Sequence, residues 1–244
     1  VFVFELSREI PVIINQFGER GEKFGLMLAA AGIDIDLNDH TILLSDRGTG
    51  RLQQFKLTYD PAAPRRIDPE MTRFSTAWDF ETLRASMPDP KPTWPIEPAA
   101  IHSDRNRNLY VIDRRNDQVH VFDQSMKYVR SWGKHGGGNG EFRGPTDLSF
   151  SKSGETVFVV DSLNRRVQAF DLRGTPQNSW RIEGSNAGAL AKPFGITSGK
   201  DGFVYVTDSA RGRVLKFDGQ GTFIKQWSEA GGKMGQLWKP RGIS

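Results

Sequence analysis

The stretch FVVDSLNRRVQAFD, residues 158–171, returns as YVIDRRNDQVHVFD (110–123), as YVTDSARGRVLKFD (205–218) and more loosely as LLSDRGTGRLQQFK (43–56). Every copy runs from apolar residues to an Asp, through a polar loop to a branched aliphatic residue, and on to a Phe. Asp46, Asp113, Asp161 and Asp208 share one seat, and Phe55, Phe122, Phe170 and Phe217 share another. Asp113, Asp161 and Asp208 follow one another at intervals of 48 and 47 residues, a period that suits a blade of four short strands.

Around the quoted stretch, each unit reads as a Gly-rich loop, a Pro opening strand a, a tight turn, strand b ending at Asp, a polar loop, strand c ending at Phe, and strand d. The turns SKSGE, GKDG and DGQG supply Gly for folding adjacent strands back as hairpins. Alternation such as Val204 and Val206 against Tyr205 gives each small sheet two faces to cover. Neighbouring sheets stacked around an axis cover both. The predicted fold is all-β: a β-propeller of four-stranded antiparallel blades.

Composition agrees with this and excludes little else. A chain of 244 residues is long enough for one large or two small domains, and its 26 Gly and 11% aromatics suit many short strands with tight turns. The net charge of +4 is compatible with an anionic partner without requiring one. No Cys is present, which removes disulfides and thiolate metal sites. No apolar run reaches the length of a membrane-spanning helix, and no signal-peptide pattern opens the sequence. The start at Val1 predicts a processed or trimmed terminus, and the compartment is not legible.

The layout G-x-x-G-x-G-x-F-x-x-P followed by Y-V-x-D-x-x-N-x-R-V-x-x-F-D resembles the NHL repeat, a β-propeller family often of six blades. Gly137, Gly138, Gly140, Phe142, Pro145, Asp161, Asn164, Arg166, Val167 and Phe170 carry the resemblance in the third unit. Pro193, Asp208, Arg213, Val214 and Phe217 carry it in the fourth. The unit at 98–132 departs from it with Gln118 where the family prefers Arg, and the unit at 29–56 has Ala30 in place of Pro. The resemblance implies a propeller of six blades when complete, with residues 1–244 in a single domain.

Two features strain that expectation. VFVFE and PVIINQFG read as strands c and d of an earlier blade, and PRGIS as strand a of a later one, which predicts a longer parent or a missing portion. From Asp46 to Asp113 the interval stretches to 67 residues, which predicts an insertion over 57–95. Its prolines, in DPAAPRRIDP and MPDPKPTWP, favour an extended path along the rim. Thr76 and Asp79 stand at capping-box spacing before FETLRASM, which predicts one short helix.

The recurring Asp and an Arg five residues later predict structural pairs, Asp46–Arg51, Asp161–Arg166 and Asp208–Arg213, that fix a loop and cap its amides. The recurring Phe predicts core. Among relatives of the repeat, the peptidyl-α-hydroxyglycine amidating lyases are similar in fold and hold zinc with histidines that follow the Pro of strand a. The matching positions here are Ala99, Thr146, Phe194 and Arg241, so the zinc triad does not carry over. GPTDLSF (144–150) does resemble a blade of such a lyase that contributes no ligand, which keeps a lyase-like metalloenzyme as an alternative. His40, His102, His120 and His135 occupy unlike places, and His102 with Asp34 makes only two ligands on one inner seat. GKHGGGNGEF lacks the ending of a phosphate loop, and GxSxG is absent. No catalytic residue, metal or cofactor is therefore predicted.

What remains is a basic face. The b–c and d–a connections emerge on one side of a meander, which gathers Arg47, Arg114, Arg115, Arg165 and Arg211 beside Lys134, Arg143, Lys192, Lys239 and Arg241. Glu19, Glu22, Asp117, Glu141 and Glu229 share that side. Propellers of the TRIM-NHL and Brat kind bind RNA, so the resemblance implies RNA as an alternative partner. The leading expectation is a non-catalytic scaffold that presents loops to a protein partner.

Overall fold

A computed structural model of the chain describes residues 2–5, 12–16, 21, 23, 27–36, 41–57, 72–88, 96–181 and 189–243. Contacts divide it into two units, Val1–Pro88 and Asp89–Ser244.

In the first unit, β1 (Phe2–Glu5) and β2 (Val12–Gln16) pair as a two-stranded antiparallel sheet. Then β3 (Ala30–Asp36), β4 (Thr41–Asp46), β5 (Arg51–Leu57) and β6 (Thr72–Trp78) form a four-stranded antiparallel meander, blade I. Ile42, Leu44 and Phe55 cluster with Met27 in its core. The helix α1 (Phe80–Ala85) follows. Asp79 caps it, its Oδ1 accepting from Thr82 N at 2.9 Å and Thr82 Oγ1 at 2.7 Å. Thr76 takes no part in the cap because it lies inside β6, paired with Gln54. The Pro-rich stretch thus returns a fourth strand to the blade before the helix. Its residues 58–71 and 89–95 lie outside the described residues.

The second unit holds three more blades of the same kind. Blade II is β7 (Pro98–Ser103), β8 (Leu109–Asp113), β9 (Gln118–Phe122) and β10 (Tyr128–Trp132). Blade III is β11 (Pro145–Phe150), β12 (Thr156–Asp161), β13 (Arg166–Asp171) and β14 (Pro176–Trp180). Blade IV is β15 (Pro193–Ser198), β16 (Val204–Asp208), β17 (Arg213–Phe217) and β18 (Phe223–Trp227). Each sheet pairs its strands in sequence order, antiparallel throughout. A Pro opens each first strand, the one position in a strand where a missing N–H leaves the ladder intact.

The first strands pack side by side, β11 against both β7 and β15. Alternate residues of each sheet face its neighbour. Tyr110, Ile112, Val119, Val121 and Trp132 of blade II share a core with Leu148, Val157, Val159 and Phe170 of blade III. On blade III's other face, Phe158, Val160, Val167, Ala169 and Trp180 share a core with Ile196, Val204, Val206, Leu215 and Phe217 of blade IV. Each such side chain withdrawn from water contributes about 1.5–3 kcal/mol, an amount no single four-stranded sheet can collect on both faces. The fold is the expected β-propeller, with four-stranded antiparallel blades. Phe55, Phe122, Phe170 and Phe217 are all buried, as core residues should be.

Candidate functional site

The polar side of each blade is organised by the Asp that ends its second strand. All four carboxylates are buried. Asp46 accepts from Leu28 N and Ala29 N, Asp113 from Glu97 N, Asp161 from Arg143 N, and Asp208 from Ala191 N and Lys192 N. Each therefore ties the loop entering its blade to the turn leaving strand b. The expected Arg partners stand at 2.8 Å for Arg166 on Asp161 and 3.4 Å for Arg213 on Asp208. Arg51 faces Asp46 in the strand register.

Blade II solves the same problem differently. Gln118 takes the Arg seat and reaches Gly133 O at 3.4 Å, while Asp113 receives Asn116 Nδ2 at 2.6 Å and His120 Nε2 at 3.1 Å. His120 is buried in the seat that Gln168 holds in blade III, where Gln168 Nε2 approaches Asp161 at 3.3 Å. This histidine is a structural donor.

The connection between blades II and III is held just as tightly. Arg166 Nη2 donates to Gly138 O at 2.6 Å and Glu141 O at 2.8 Å, and Asn164 Nδ2 donates to Gly136 O at 2.8 Å. Asp117 Oδ1 accepts from Gly144 N at 2.7 Å, and its Oδ2 takes His135 Nδ1 at the same distance. Glu141 accepts from Gly138 N at 2.8 Å and pairs with Lys134 at 3.3 Å, and these contacts hold its carboxyl below the usual range. Asp117 and Glu141, two of the carboxylates on the basic side, are thus engaged locally.

Over this frame stand the sequence-predicted site residues. Arg114 and the exposed Leu163 converge on the Gly144 backbone, where a Cβ would meet Leu163 Cδ1 at 3.1 Å and Arg114 Nε at 3.7 Å. Leu163 is 61% exposed on this turn. Arg115 and Arg165 are exposed beside it in the sequence of the two turns. Arg165 holds φ +56, the left-handed seat filled by Gly50 and Gly212 in the matching turns of blades I and IV. Arg211 is half-buried and donates to Ala189 O at 2.6 Å. In the first unit, Arg47 is exposed on the corresponding turn. Arg241 lays its guanidinium 5.2 Å from the Phe194 ring centre. Glu19, Glu22 and His40 lie outside the described residues.

On the inner strands, His102 Nε2 stands 3.2 Å from Asp147 Oδ1, and Asp147 Oδ2 accepts from Ile196 N at 2.9 Å, so one carboxylate links three blades. Among the described residues, no three of His, Asp and Glu gather where they could hold a metal ion. None of their helices is long and apolar enough to cross a membrane.

Sequence reasoning missed the Leu163–Arg114 pairing and the tryptophan series. Trp132, Trp180 and Trp227 each stand 19 residues past Asp113, Asp161 and Asp208, a period that was available to be noticed. Leu163 carried no signal, because a turn leucine does not announce whether a neighbouring blade covers it.

Comparison with known proteins supports the architecture. Residues 99–190 match a family model described as a 6-bladed beta-propeller. No curated protein matches the chain. A catalytically inactive virginiamycin B lyase from Staphylococcus aureus, solved with quinupristin, superposes with a TM-score of 0.61 at 10% identity over 91% of this chain and 60% of that one. A streptogramin B lyase gives 0.58 at 13% identity over 88% of this chain and 58% of that one. A nidogen/laminin complex gives 0.59 at 18% identity, over 96% and 71%. The chain spans about three-fifths of the length of the two lyases. At these identities the likeness is one of fold.

Proposed function

We propose that the chain is a non-catalytic, NHL-type propeller module that binds another protein through the b–c turns of its blades. The observation that carries this reading is Leu163, exposed next to Arg114 on a backbone bolted from below by buried carboxylates. Apolar area beside an arginine is surface that a protein partner can bury, and Arg is enriched at binding hot spots. The backbone of the turn repeats from blade to blade while its side chains differ, so the scaffold and the display are separable. Arg115, Arg165 and Arg211 join Arg114 as rim residues, and Arg47 has the same role on the first unit's turn. Residues 1–244 are read as one propeller, six-bladed when complete, with 57–95 an insertion within it.

Photo-crosslinking from position 163 in the native host tests this. A benzoylphenylalanine in place of Leu163 should yield a protein adduct that weakens when Arg114→Ala and Arg165→Gly are added, the latter change suiting the left-handed seat. The same probe at Lys152, on the opposite turns, serves as the control. A nuclease-sensitive adduct that disappears with salt would favour RNA instead. Equal labelling at 163 and 152 refutes the assignment.

A further inference from the structure

The turns that leave the second strands of blades II and III are stitched together by two residues of the connection between the blades, Arg143 and Gly144. Arg143 N donates to Asp161 Oδ1 at 2.8 Å, Gly144 N donates to Asp117 Oδ1 at 2.7 Å, and Leu163 N donates to Arg143 O at 3.1 Å. Asp117 and Asp161 are both buried, so the bridge is anchored at each end from inside the protein. Leu163 Cδ1 and Arg114 Nε both come within 4 Å of the point that a Cβ on Gly144 would occupy. Arg165 stands on the same turn as Leu163, its N donating to Ser162 O at 3.1 Å. Three arginines and a leucine are thereby fixed, at the backbone, on one surface.

Among the described residues, the guanidiniums of Arg114, Arg143 and Arg165 form no ion pair and no hydrogen bond. Arg143 and Arg165 are exposed, and Arg114 is half-buried. The carboxylates around them are already engaged. Asp113 and Asp161 lie fully buried and receive His120 and Arg166. Asp117 divides its oxygens between Gly144 N and His135, and Glu141 is held by Gly138 N and Lys134. Glu97, whose carbonyl accepts from Arg114 N at 3.1 Å, is half-buried and has a partner of its own. Blade IV treats its arginines differently: Arg211 and Arg213 both donate to Ala189 O. The surface over blades II and III therefore carries positive charge that the chain itself leaves unanswered.

We propose that this surface docks an acidic, extended segment of the partner protein, with an apolar side chain set on Leu163 and carboxylates on either side of it reaching Arg114, Arg143 and Arg165; the proposal rests on the protein-binding reading above. A guanidinium presents its donors as a planar fork that fits a carboxylate, and the pair is charge-assisted. The backbone beneath each arginine is ordered before the partner arrives, so docking has only the side chains left to fix. The centre of the surface is aliphatic. Single-stranded nucleic acid is held by aromatic side chains on which its bases stack, and the aromatic residues flanking these segments in the chain, Tyr110, Phe122, Phe142, Phe158 and Phe170, are all buried. That favours a peptide over RNA on the same cations.

The test is selection from a phage-displayed library of random peptides on the intact protein, after removal of every phage that binds the Arg114→Ala, Arg143→Ala, Arg165→Gly triple variant. Surviving peptides should carry Asp or Glu on both sides of an apolar residue. A labelled synthetic copy of the commonest survivor, followed by fluorescence anisotropy, should bind about tenfold more weakly to Arg143→Ala, lose affinity as salt rises, and bind the exposed-site control Lys152→Ala unchanged. Circular dichroism verifies the fold of each variant, and Arg143→Lys replaces Arg143→Ala if the latter is unfolded. No survivors, or survivors without an excess of acidic residues, overturn the proposal. So does a uridine oligonucleotide that binds through the same three arginines more tightly than the selected peptide. Neutral survivors alongside a protein adduct at position 163 overturn the acidic partner and leave the protein-binding reading standing, whereas the absence of any protein adduct there refutes that reading itself.

Discussion

Replacing Arg166 by Ala removes the residue that joins two blades at their polar ends. Its Nε donates to Asp161 at 2.8 Å, its Nη2 serves the carbonyls of Gly138 and Glu141, and both side chains of the pair are nine-tenths or more buried. Truncation leaves a buried carboxylate without its cation, and breaking a buried pair in this way costs about 3–5 kcal/mol. Asp161 keeps Arg143 N, Asn164 and Gln168 as donors, which places the loss near the lower end, about 3 kcal/mol, a sizeable share of the roughly 5–15 kcal/mol that holds a domain together. Arg166→Gln should cost less, about 1–2 kcal/mol, because blade II works with Gln118 in that seat. Urea unfolding followed by tryptophan fluorescence gives the stabilities, and hydrogen exchange over 134–142 reads the loop. A loss below about 1 kcal/mol, the value of an exposed pair, with loop exchange unchanged would refute the account of the Asp as a hub.

Gly174→Ala places a Cβ 2.6 Å from Trp132 Cδ2 at φ +88. The left-handed backbone and the overpacking together should lower stability by about 2–4 kcal/mol, while Gly219→Ala, with open space around its Cβ, should be nearly neutral. Equal thermal shifts for the two would contradict the indole-on-glycine contact. The Tyr205 hydroxyl and the Lys216 ammonium hold Asp201 at a pKa of about 2 against an ordinary 3.8. Because the folded value is the lower one, the stabilisation from this cluster is present above 3.8 and fades as the pH falls toward 2. Lys216→Met should move the Asp201 carboxyl midpoint upward in a carbon NMR titration, and an unmoved midpoint would show that the ion pair does not form.

The repeat declared the blades, because each strand's alternation and each turn's Gly or Asx residue is a local matter, settled within a dozen positions of the chain. That Asp161 and Arg166 belong together was equally legible, since five residues around a tight turn leave few other arrangements. Thr76 shows where local reading stops. Its capping-box spacing was real, but pairing with β5 drew it into a strand, and Asp79 took the cap. His120 makes the same point from the other direction: an isolated histidine in the sequence, it proves to be the donor that replaces a missing Arg at Asp113.

The sequence by itself determined the blade, its strand order, its buried Phe and the carboxylate that closes its polar end, all products of periodicity and short-range geometry. Only the tertiary structure decided which apolar residues are covered, separating Trp132 and Trp180 from Trp227 and leaving Leu163 bare beside Arg114. Covering depends on what lies across the seam, far along the chain, as Phe170 is 38 residues from Trp132 and Phe217 is 37 from Trp180.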